Sequence, residues 1–241
     1  MAKIKSVKDL SIKLFADGAE EAGMLEMCAN PLVRGFTTNP TLMRKAGIKD
    51  YEAFARKIAA AIPDRPLSFE VFSDEFDEME SQARRISSWG GNIYVKIPIT
   101  NSRGESSCGL IERLAKTGLK QNVTALMTLA QVREVALALS EGPSAFVSVF
   151  AGRVADTGLD PMPLMAAAVE MLRPWPQLEL IWASPRELLN IFQADAVGCQ
   201  IITATNDILK KLTLVNKNLE VFSLETVRMF VADATAAGFE L

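Results

Sequence analysis

Short runs of β-branched and aromatic residues alternate along the chain with stretches in which apolar residues recur every three or four positions. The short runs are typical of buried strands, and the longer stretches are typical of amphipathic helices. The strand candidates are Ile12–Ala16, Val33–Thr37, Leu67–Phe72, Asn92–Ile97, Gln121–Ala125, Ala145–Phe150, Leu178–Ala183 and Gln200–Thr203. Eight strand–helix repeats in 241 residues predict a single-domain α/β fold, a (β/α)8 TIM barrel over residues 1–241.

The helices between these strands carry start signals of their own. Thr128 and Gln131 form a capping-box pattern, and Ser223 is expected to begin the last helix, 223–236. No Ser-, Gly- or Pro-rich tract divides the chain, which favours one domain. A doubly wound open sheet has the same alternation of strands and helices, and periodicity alone does not exclude it.

Composition narrows the chemistry that the chain can perform. It has no histidine, which excludes His-dependent nucleophiles, His-ligated metals and imidazole acid–base catalysis. A net charge of −3 gives no basic footprint for nucleic acid. The cysteines, Cys28, Cys108 and Cys199, have neither disulfide-framework nor zinc-site spacing. Met1–Asp9 does not resemble a secretory leader, and no apolar run approaches the roughly 20 residues of a membrane span, so a soluble, cytoplasmic protein is predicted.

Lys96 is the leading candidate nucleophile. It lies in the apolar segment Ile93–Pro98, near the carboxyl end of the fourth strand, where a barrel of this type places its active face. A strand-end lysine commonly extends its ammonium group into water, as expected of Lys13. A lysine removed from water favours the neutral amine, which attacks carbonyl carbon. Since the other nucleophile and metal motifs are missing, a Schiff base on Lys96 is the favoured chemistry.

Two carboxylates are candidate acid–base groups. Asp17 follows the first strand and equally fits a cap on the next helix. Glu70 lies on the third strand, where an inward carboxylate needs a partner; Lys96 on the next strand is expected to supply it, as a catalytic pair or a buried ion pair. Because residues two apart share a strand face, further inward polar positions are expected at Asn122 with Thr124, and Ser148 with Phe150.

A candidate anion site lies at the later strand ends. Arg153 follows the sixth strand, and Ser184-Pro185-Arg186 is expected to open the helix after the seventh. Arginines and a hydroxyl near a helix start suit a phosphate, and barrels favour their later loops for such sites. Each arginine taken alone fits a surface or inter-helix ion pair better, and their shared location is what favours the anion site.

These segments, in this order, resemble the transaldolase family and its short-chain branch, which includes the fructose-6-phosphate aldolases. The markers are Phe15-Ala-Asp17, Gly35–Pro40, Glu70-Val71, Tyr94–Pro98, Asn122–Thr124, Ser148–Arg153 and Ala183–Arg186. The resemblance implies a (β/α)8 barrel without metal or organic cofactor. It also implies sugar-phosphate substrates of the pentose phosphate pathway and a ring-like homo-oligomer, for which Val227, Phe230 and Val231 offer an apolar stripe. That stripe equally fits a helix that covers its own barrel.

The resemblance also implies individual roles. Lys96 matches the Schiff-base lysine, and Asp17 matches the group that handles the hydroxyl proton as the C3–C4 bond breaks. Glu70 and Thr124 match the pair that holds the water of carbinolamine dehydration. The implied substrate-binding residues are Asn39, Asn122, Ser148 and Phe150 around the dihydroxyacetone unit, with Arg153, Ser184 and Arg186 at the phosphate.

The chain therefore resembles a transaldolase, which moves a dihydroxyacetone unit from a ketose phosphate to an aldose phosphate. Glu70 and Phe150 match transaldolases, whereas the aldolases have Gln and Tyr there. Departures from the family pattern at Gly18, Val149 and Pro185 point to an unusual acceptor sugar. The alternatives are a fructose-6-phosphate aldolase that releases free dihydroxyacetone and a non-catalytic sugar-phosphate-binding protein. Retention of Lys96, Asp17 and Glu70 together argues against the non-catalytic binding protein.

Overall fold

Eight parallel strands close into a barrel in sequence order in the computed structural model, which describes residues 5–240. The strands are β1 (Lys13–Asp17), β2 (Val33–Thr37), β3 (Leu67–Glu70), β4 (Ile93–Pro98), β5 (Gln121–Leu126), β6 (Ala145–Val149), β7 (Leu178–Trp182) and β8 (Ile201–Thr205). The predicted (β/α)8 barrel is confirmed, and all eight strand candidates are strands with ends within two residues of the prediction. The predicted domain range 1–241 includes residues 1–4 and 241, and the prediction about a secretory leader includes residues 1–4. These residues lie outside the described part of the chain.

Each strand is followed by one or two helices outside the barrel. They are α1 (Glu21–Ala29), α2 (Pro40–Lys45), α3 (Tyr51–Ala61), α4 (Phe76–Ser87), α5 (Cys108–Lys116), α6 (Leu129–Leu139), α7 (Ala151–Asp156), α8 (Met162–Leu172), α9 (Leu189–Ala196), α10 (Asn206–Lys210) and α11 (Leu219–Ala237). The Thr128–Gln131 capping box begins α6 as predicted. Because β1 pairs with both β2 and β8, the sheet has no edge, and the open-sheet alternative is wrong.

The main core lies between the strands and the helices. Alternate strand residues face outward, and Val95 and Val123 belong to one hydrophobic cluster with helix residues such as Ile111 and Val132. Val95 and Val123 are both fully buried. This packing holds the strand ends in a common register, so that their carboxyl ends meet around one opening.

Inside the barrel, a second cluster fills the middle of the strands. Its buried residues are Phe15, Tyr94, Phe146, Ile181, Ala183 and Ile201, and we call it the aromatic layer. The rings of Tyr94 and Phe146 stack with centroids 4.0 Å apart, and Phe15 meets Phe146 edge-on at 5.7 Å. A side chain at Gly35 would place its Cβ 2.5 Å from the Phe15 ring, so the ring requires a glycine on β2. The barrel interior is thus closed below the strand ends.

The last helix differs from the prediction. It begins at Leu219 rather than Ser223, because Asn218 caps it by accepting hydrogen bonds from the backbone N–H groups of Glu220 and Val221. Its apolar stripe is exposed; Phe230, for example, is 62% exposed. The alternative in which this stripe covers its own barrel is therefore wrong.

α11 and the other described helices are each too short or too polar to cross a membrane.

Candidate active site

A ring of polar side chains lies one step above the aromatic layer. Asp17 follows Phe15 by two positions on β1, and Lys96 and Ser148 stand in the same relation to Tyr94 and Phe146. Since residues two apart share a face, each of these side chains points into the barrel at the carboxyl end of its strand. The ring, which we call the polar layer, consists of Asp17, Thr37, Glu70, Lys96, Asn122, Thr124, Ser148 and Thr203, and it lines a cavity of about 440 Å³.

Lys96 lies buried in this layer, with only 6% of the residue exposed. The β3–β4 register places it beside Glu70, and its Nζ lies 3.0 Å from Glu70 Oε2. Nζ also donates a hydrogen bond of 2.7 Å to the backbone carbonyl of Thr38. The expectation that Lys96 supplies the partner of Glu70 is confirmed. Lys13, by contrast, starts β1 and pairs with Glu179 at the exposed end of the barrel.

Asp17 faces the cavity at the end of β1. Its carboxylate accepts a hydrogen bond of 2.7 Å from the Thr37 hydroxyl, which lies 2.5 Å from the hydroxyl of Thr203. Burial raises the pKa of Asp17 above its ordinary value, and the Lys96 charge and the Thr37 hydrogen bond oppose this rise. Asp17 does not cap the following helix, because α1 begins after Glu20. The cap alternative for Asp17 is wrong.

The side-chain amide of Asn122, on β5, bonds to two hydroxyl groups. Asn122 Nδ2 donates to Ser68 Oγ at 3.0 Å, and Ser148 Oγ donates to Asn122 Oδ1 at 2.7 Å. This chain of bonds fixes the orientation of the carboxamide. Asn39 lines the same cavity and caps α2 by accepting from the backbone N–H of Leu42 at 2.9 Å.

Thr124 has an unusual environment on β5. Its hydroxyl is buried and has no hydrogen-bond partner among residues 5–240. The following residue, Ala125, has a φ of 67°, a left-handed conformation that is strained for any residue but glycine. An unpaired buried hydroxyl lowers stability by about 1–3 kcal/mol. Thr124 is thus a polar group that is available to a molecule in the cavity.

Arg153 and Ser184 reach the cavity from neighbouring strand ends. Arg153 lies on α7, with its guanidinium 5.8 Å from the centre of the Phe150 ring, and all three residues line the cavity. Their proximity depends on Gly152, since a Cβ there would lie 1.5 Å from the Ser184 carbonyl oxygen. Glycine therefore lets the segments after β6 and β7 touch.

Arg186 lies outside this group of lining residues. Its Nε donates to Asp156 at 2.9 Å, and its Nη2 makes a second bond to the same carboxylate. The helix after β7 begins at Leu189, so the expectation that Ser184-Pro185-Arg186 opens that helix is wrong. The reason lies in Ser184, whose φ of 56° turns the chain away from a helical path.

Three residues that support the site have no role predicted from the sequence. Thr37 donates to Asp17, Thr203 bonds to Thr37, and Ser68 accepts from Asn122. Asp156, which holds Arg186 outside the cavity, is a fourth residue without a predicted role. The first three follow the alternation of inward residues on their strands, which is a signal that periodicity carries. Asp156 has no such signal, because its contact joins the end of α7 to the segment after β7. Within residues 5–240, no three potential metal ligands lie together.

Fold and cavity define an α/β barrel with an amine, two carboxylates and a cation gathered at the carboxyl ends of its strands. The family model described as "Transaldolase/Fructose-6-phosphate aldolase" matches residues 14–241. The chain belongs to the transaldolase/fructose-6-phosphate aldolase family, as the sequence resemblance predicts.

Curated relatives agree with this family. A "Probable transaldolase" from Dehalococcoides mccartyi is 34% identical over 202 residues, which cover 83% of this chain and 90% of that protein. A "Probable transaldolase 2" from Listeria monocytogenes is 32% identical over 215 residues, covering 88% and 94%. Among solved structures, 3-keto-L-gulonate-6-phosphate decarboxylase from Vibrio cholerae matches with a TM-score of 0.54 at 10% identity, over 81% of this chain and 88% of that one. This last similarity concerns the fold alone.

Proposed function

We propose that the protein is a transaldolase, which transfers a dihydroxyacetone unit from a ketose phosphate to an aldose phosphate through a Schiff base on Lys96. The observation that carries the proposal is the buried Lys96 amine, which faces the cavity 3.0 Å from Glu70. The names of the curated relatives support the same reaction.

The first stage forms the imine. The Lys96 amine, after giving a proton to Glu70, attacks the C2 carbonyl of the ketose and forms a C–N bond. The resulting carbinolamine then loses its hydroxyl as water, with Glu70 returning the proton. Thr124, whose hydroxyl has no protein partner within residues 5–240, holds this water together with Glu70. The product is a protonated imine, which is an electron sink next to C3.

The second stage breaks and re-forms a carbon–carbon bond. Asp17 accepts the proton of the C4 hydroxyl, the C3–C4 bond breaks, and its electron pair moves into the imine to give an enamine. An aldose phosphate leaves, and the acceptor aldehyde takes its place. The enamine attacks the aldehyde carbon, and Asp17 returns the proton to the new hydroxyl. Water then releases the new ketose from Lys96. The bond from Thr37 orients Asp17 for both transfers.

Two groups of cavity residues bind different parts of the substrate. Asn39, Asn122 and Ser148 provide donors and acceptors for the hydroxyls of the dihydroxyacetone unit. Arg153 and Ser184 lie at the opening between β6 and β7 and bind the phosphate. Binding the phosphate at a fixed distance from Lys96 positions C2 for attack, which is an entropic contribution to the rate.

Phe150 favours transfer over release of free dihydroxyacetone. Release requires protonation of the enamine, and the Phe150 ring at the cavity has no hydroxyl to carry that proton. The enamine therefore persists until an aldehyde arrives. The Glu70 carboxylate, 3.0 Å from Nζ, favours formation of the cationic imine that precedes bond cleavage.

Reductive trapping tests the covalent step. Borohydride added with fructose 6-phosphate is expected to leave a stable adduct on Lys96. Lys96→Arg, which keeps the charge and removes the nucleophile, is expected to show neither adduct nor turnover. An adduct mapped to Lys13 or Lys120 contradicts the mechanism.

Product analysis tests transfer itself. With fructose 6-phosphate and erythrose 4-phosphate together, we expect a new ketose phosphate to form faster than free dihydroxyacetone. If free dihydroxyacetone forms at an equal rate, the aldolase alternative replaces the proposal.

We also propose that the protein works as a homo-oligomer, in which α11 docks on a second copy. Val227, Phe230 and Val231 form an exposed apolar stripe on this helix. Light scattering of the full chain at micromolar concentration is expected to give a mass above one chain, and Phe230→Asp is expected to lower it. A full chain that is already monomeric contradicts this assembly.

A further inference from the structure

We propose that Tyr51 is a positioning residue that holds Glu70 in reach of Lys96; this inference rests on the proposed function. Tyr51 begins α3 on the outside of the barrel, and its hydroxyl makes two hydrogen bonds to the backbone of one residue. The Glu70 N–H donates to Tyr51 Oη at 2.8 Å, and Oη donates to the Glu70 carbonyl at 2.9 Å.

These two hydrogen bonds take the place of pairing with β2 at the end of β3. The pairing of β2 with β3 ends at Thr37 and Ser68, after which the Thr38 N–H bonds to the Ser68 carbonyl. β2 then turns away into α2. Along a strand, every second residue directs its N–H and C=O to the same neighbour, so Glu70 directs both groups to the side that β2 has left. Buried backbone groups need partners, and the Tyr51 hydroxyl is a partner for both.

Glu70 is held differently on its other side. β4 continues past it, with Lys96 as its register partner, and the Val71 N–H bonds to the Lys96 carbonyl. Without Tyr51, the last residue of β3 would be fixed from one side only. The Glu70 carboxylate lies 3.0 Å from the Lys96 amine. Motion of the Glu70 backbone would therefore change the distance between the two reacting groups.

The environment of Tyr51 suits a fixed hydroxyl. Its ring packs against Phe69, Phe72 and Trp89, with centroids 6.4, 5.5 and 5.9 Å away. Burial raises the pKa of Tyr51 well above its ordinary value of 10.0, so the hydroxyl keeps its proton and remains a donor. Tyr51 does not line the catalytic cavity. Its hydroxyl reaches the reacting groups through the Glu70 backbone.

The chain offers a matched control, since its only other tyrosine is Tyr94. The Tyr94 hydroxyl lies 3.0 Å from the hydroxyl of Ser144, away from the polar layer. Tyr51→Phe is expected to lower kcat for transfer by roughly tenfold while KM changes less than about twofold, because positioning is lost and phosphate binding is kept. Tyr94→Phe is expected to change kcat less than about twofold. Equal effects of the two variants overturn the inference.

A double-mutant cycle separates positioning from general weakening of the fold. If Tyr51 acts through the Glu70 carboxylate, Tyr51→Phe should lower kcat much less in a Glu70→Gln background than in the wild type. The same fold-loss in both backgrounds overturns the inference.

A third measurement does not depend on the folding of Tyr51→Phe. In Tyr94→Phe protein labelled with 3-fluorotyrosine, the single fluorine reports on Tyr51. Its ¹⁹F resonance is expected to shift when borohydride traps the adduct on Lys96, since Glu70 lies between the two. An adduct without a shift overturns the inference alone, whereas the absence of any Lys96 adduct overturns the proposed function together with it.

Discussion

The aromatic layer and the polar layer both lie inside the barrel, and on β1, β4 and β6 they are two residues apart. The aromatic layer supports the fold, whereas the polar layer carries the reactive groups. Phe15, Tyr94 and Phe146 bury their rings against one another at the middle of the barrel. Asp17, Lys96 and Ser148, two positions further along, carry charge or hydroxyl groups into the cavity. The side chains of the two layers differ in polarity, and the backbone of the polar layer differs as well, since Tyr51 rather than β2 bonds to the Glu70 backbone.

The two layers also differ in energy. A buried aromatic ring contributes roughly 1.5–3 kcal/mol to stability by leaving water. A buried charge lowers stability unless it is paired, which is why Lys96 has two partners and Asp17 has a hydroxyl donor. The polar layer is therefore a region where stability is given up for reactivity, and the aromatic layer below it stabilises the barrel. Variants that affect one layer at a time test this division.

The largest effect on stability is expected from Phe146→Ala. It removes the ring that meets both Phe15 and Tyr94, and it should lower the free energy of unfolding by about 3–5 kcal/mol. The matched variant, Ser148→Ala, lies two residues along the same strand and removes one hydrogen bond to Asn122, for about 1 kcal/mol. Urea unfolding monitored by circular dichroism measures both. Comparable losses would contradict a stabilising role specific to the aromatic layer.

Arg153→Ala is expected to raise KM for phosphorylated substrates roughly tenfold or more, because a charge-assisted hydrogen bond contributes about 1.5–3 kcal/mol. Arg186→Ala should have a smaller effect, since Arg186 is bonded to Asp156 and does not line the cavity. Steady-state kinetics with unphosphorylated ketoses is the control, and neither variant should change KM for these substrates. An Arg186→Ala effect equal to that of Arg153→Ala would place both arginines at the phosphate.

Asp17→Asn should abolish transfer yet stabilise the protein near neutral pH. Because burial raises the pKa of Asp17, the folded state binds its proton more tightly than the unfolded state does. The stability that this proton contributes is full below the ordinary value of 3.8 and is lost as the pH rises through the raised pKa. The advantage of the variant over the wild type should therefore grow with pH across this window and then level off. Unfolding measured from pH 3 to pH 7 checks the sign, and an advantage that shrinks with pH contradicts it.

Phe150→Tyr is expected to have the smallest effect, a change in product ratio. A hydroxyl on this ring, at the wall of the cavity, supplies a proton carrier for the enamine and should raise free dihydroxyacetone relative to the transferred ketose by several-fold. Chromatographic quantification of both products, with an aldose phosphate present, measures the ratio. An unchanged ratio would show that residues other than Phe150 set the enamine lifetime.

The amino-acid sequence by itself determined the eight strands and which residues of each strand share a face. These properties follow from local periodicity, because side chains alternate between the two faces of a strand whatever the rest of the chain does. The structure decided that the sheet closes into a barrel and that the β3–β4 register sets Lys96 beside Glu70. All the predicted site residues except Arg186 line one cavity.

Only the tertiary structure decided the contacts that join elements with no fixed relation in sequence. The bond from Arg186 to Asp156 links the segment after β7 to the end of α7, 30 residues away in sequence, and the bonds from Tyr51 to Glu70 link a helix start to a strand end. The exposure of the stripe on α11 likewise depends on where the chain after β8 leads. Such contacts depend on how helices and loops pack over the barrel, which strand periodicity does not specify. That packing turned a row of inward polar residues into a site with defined partners.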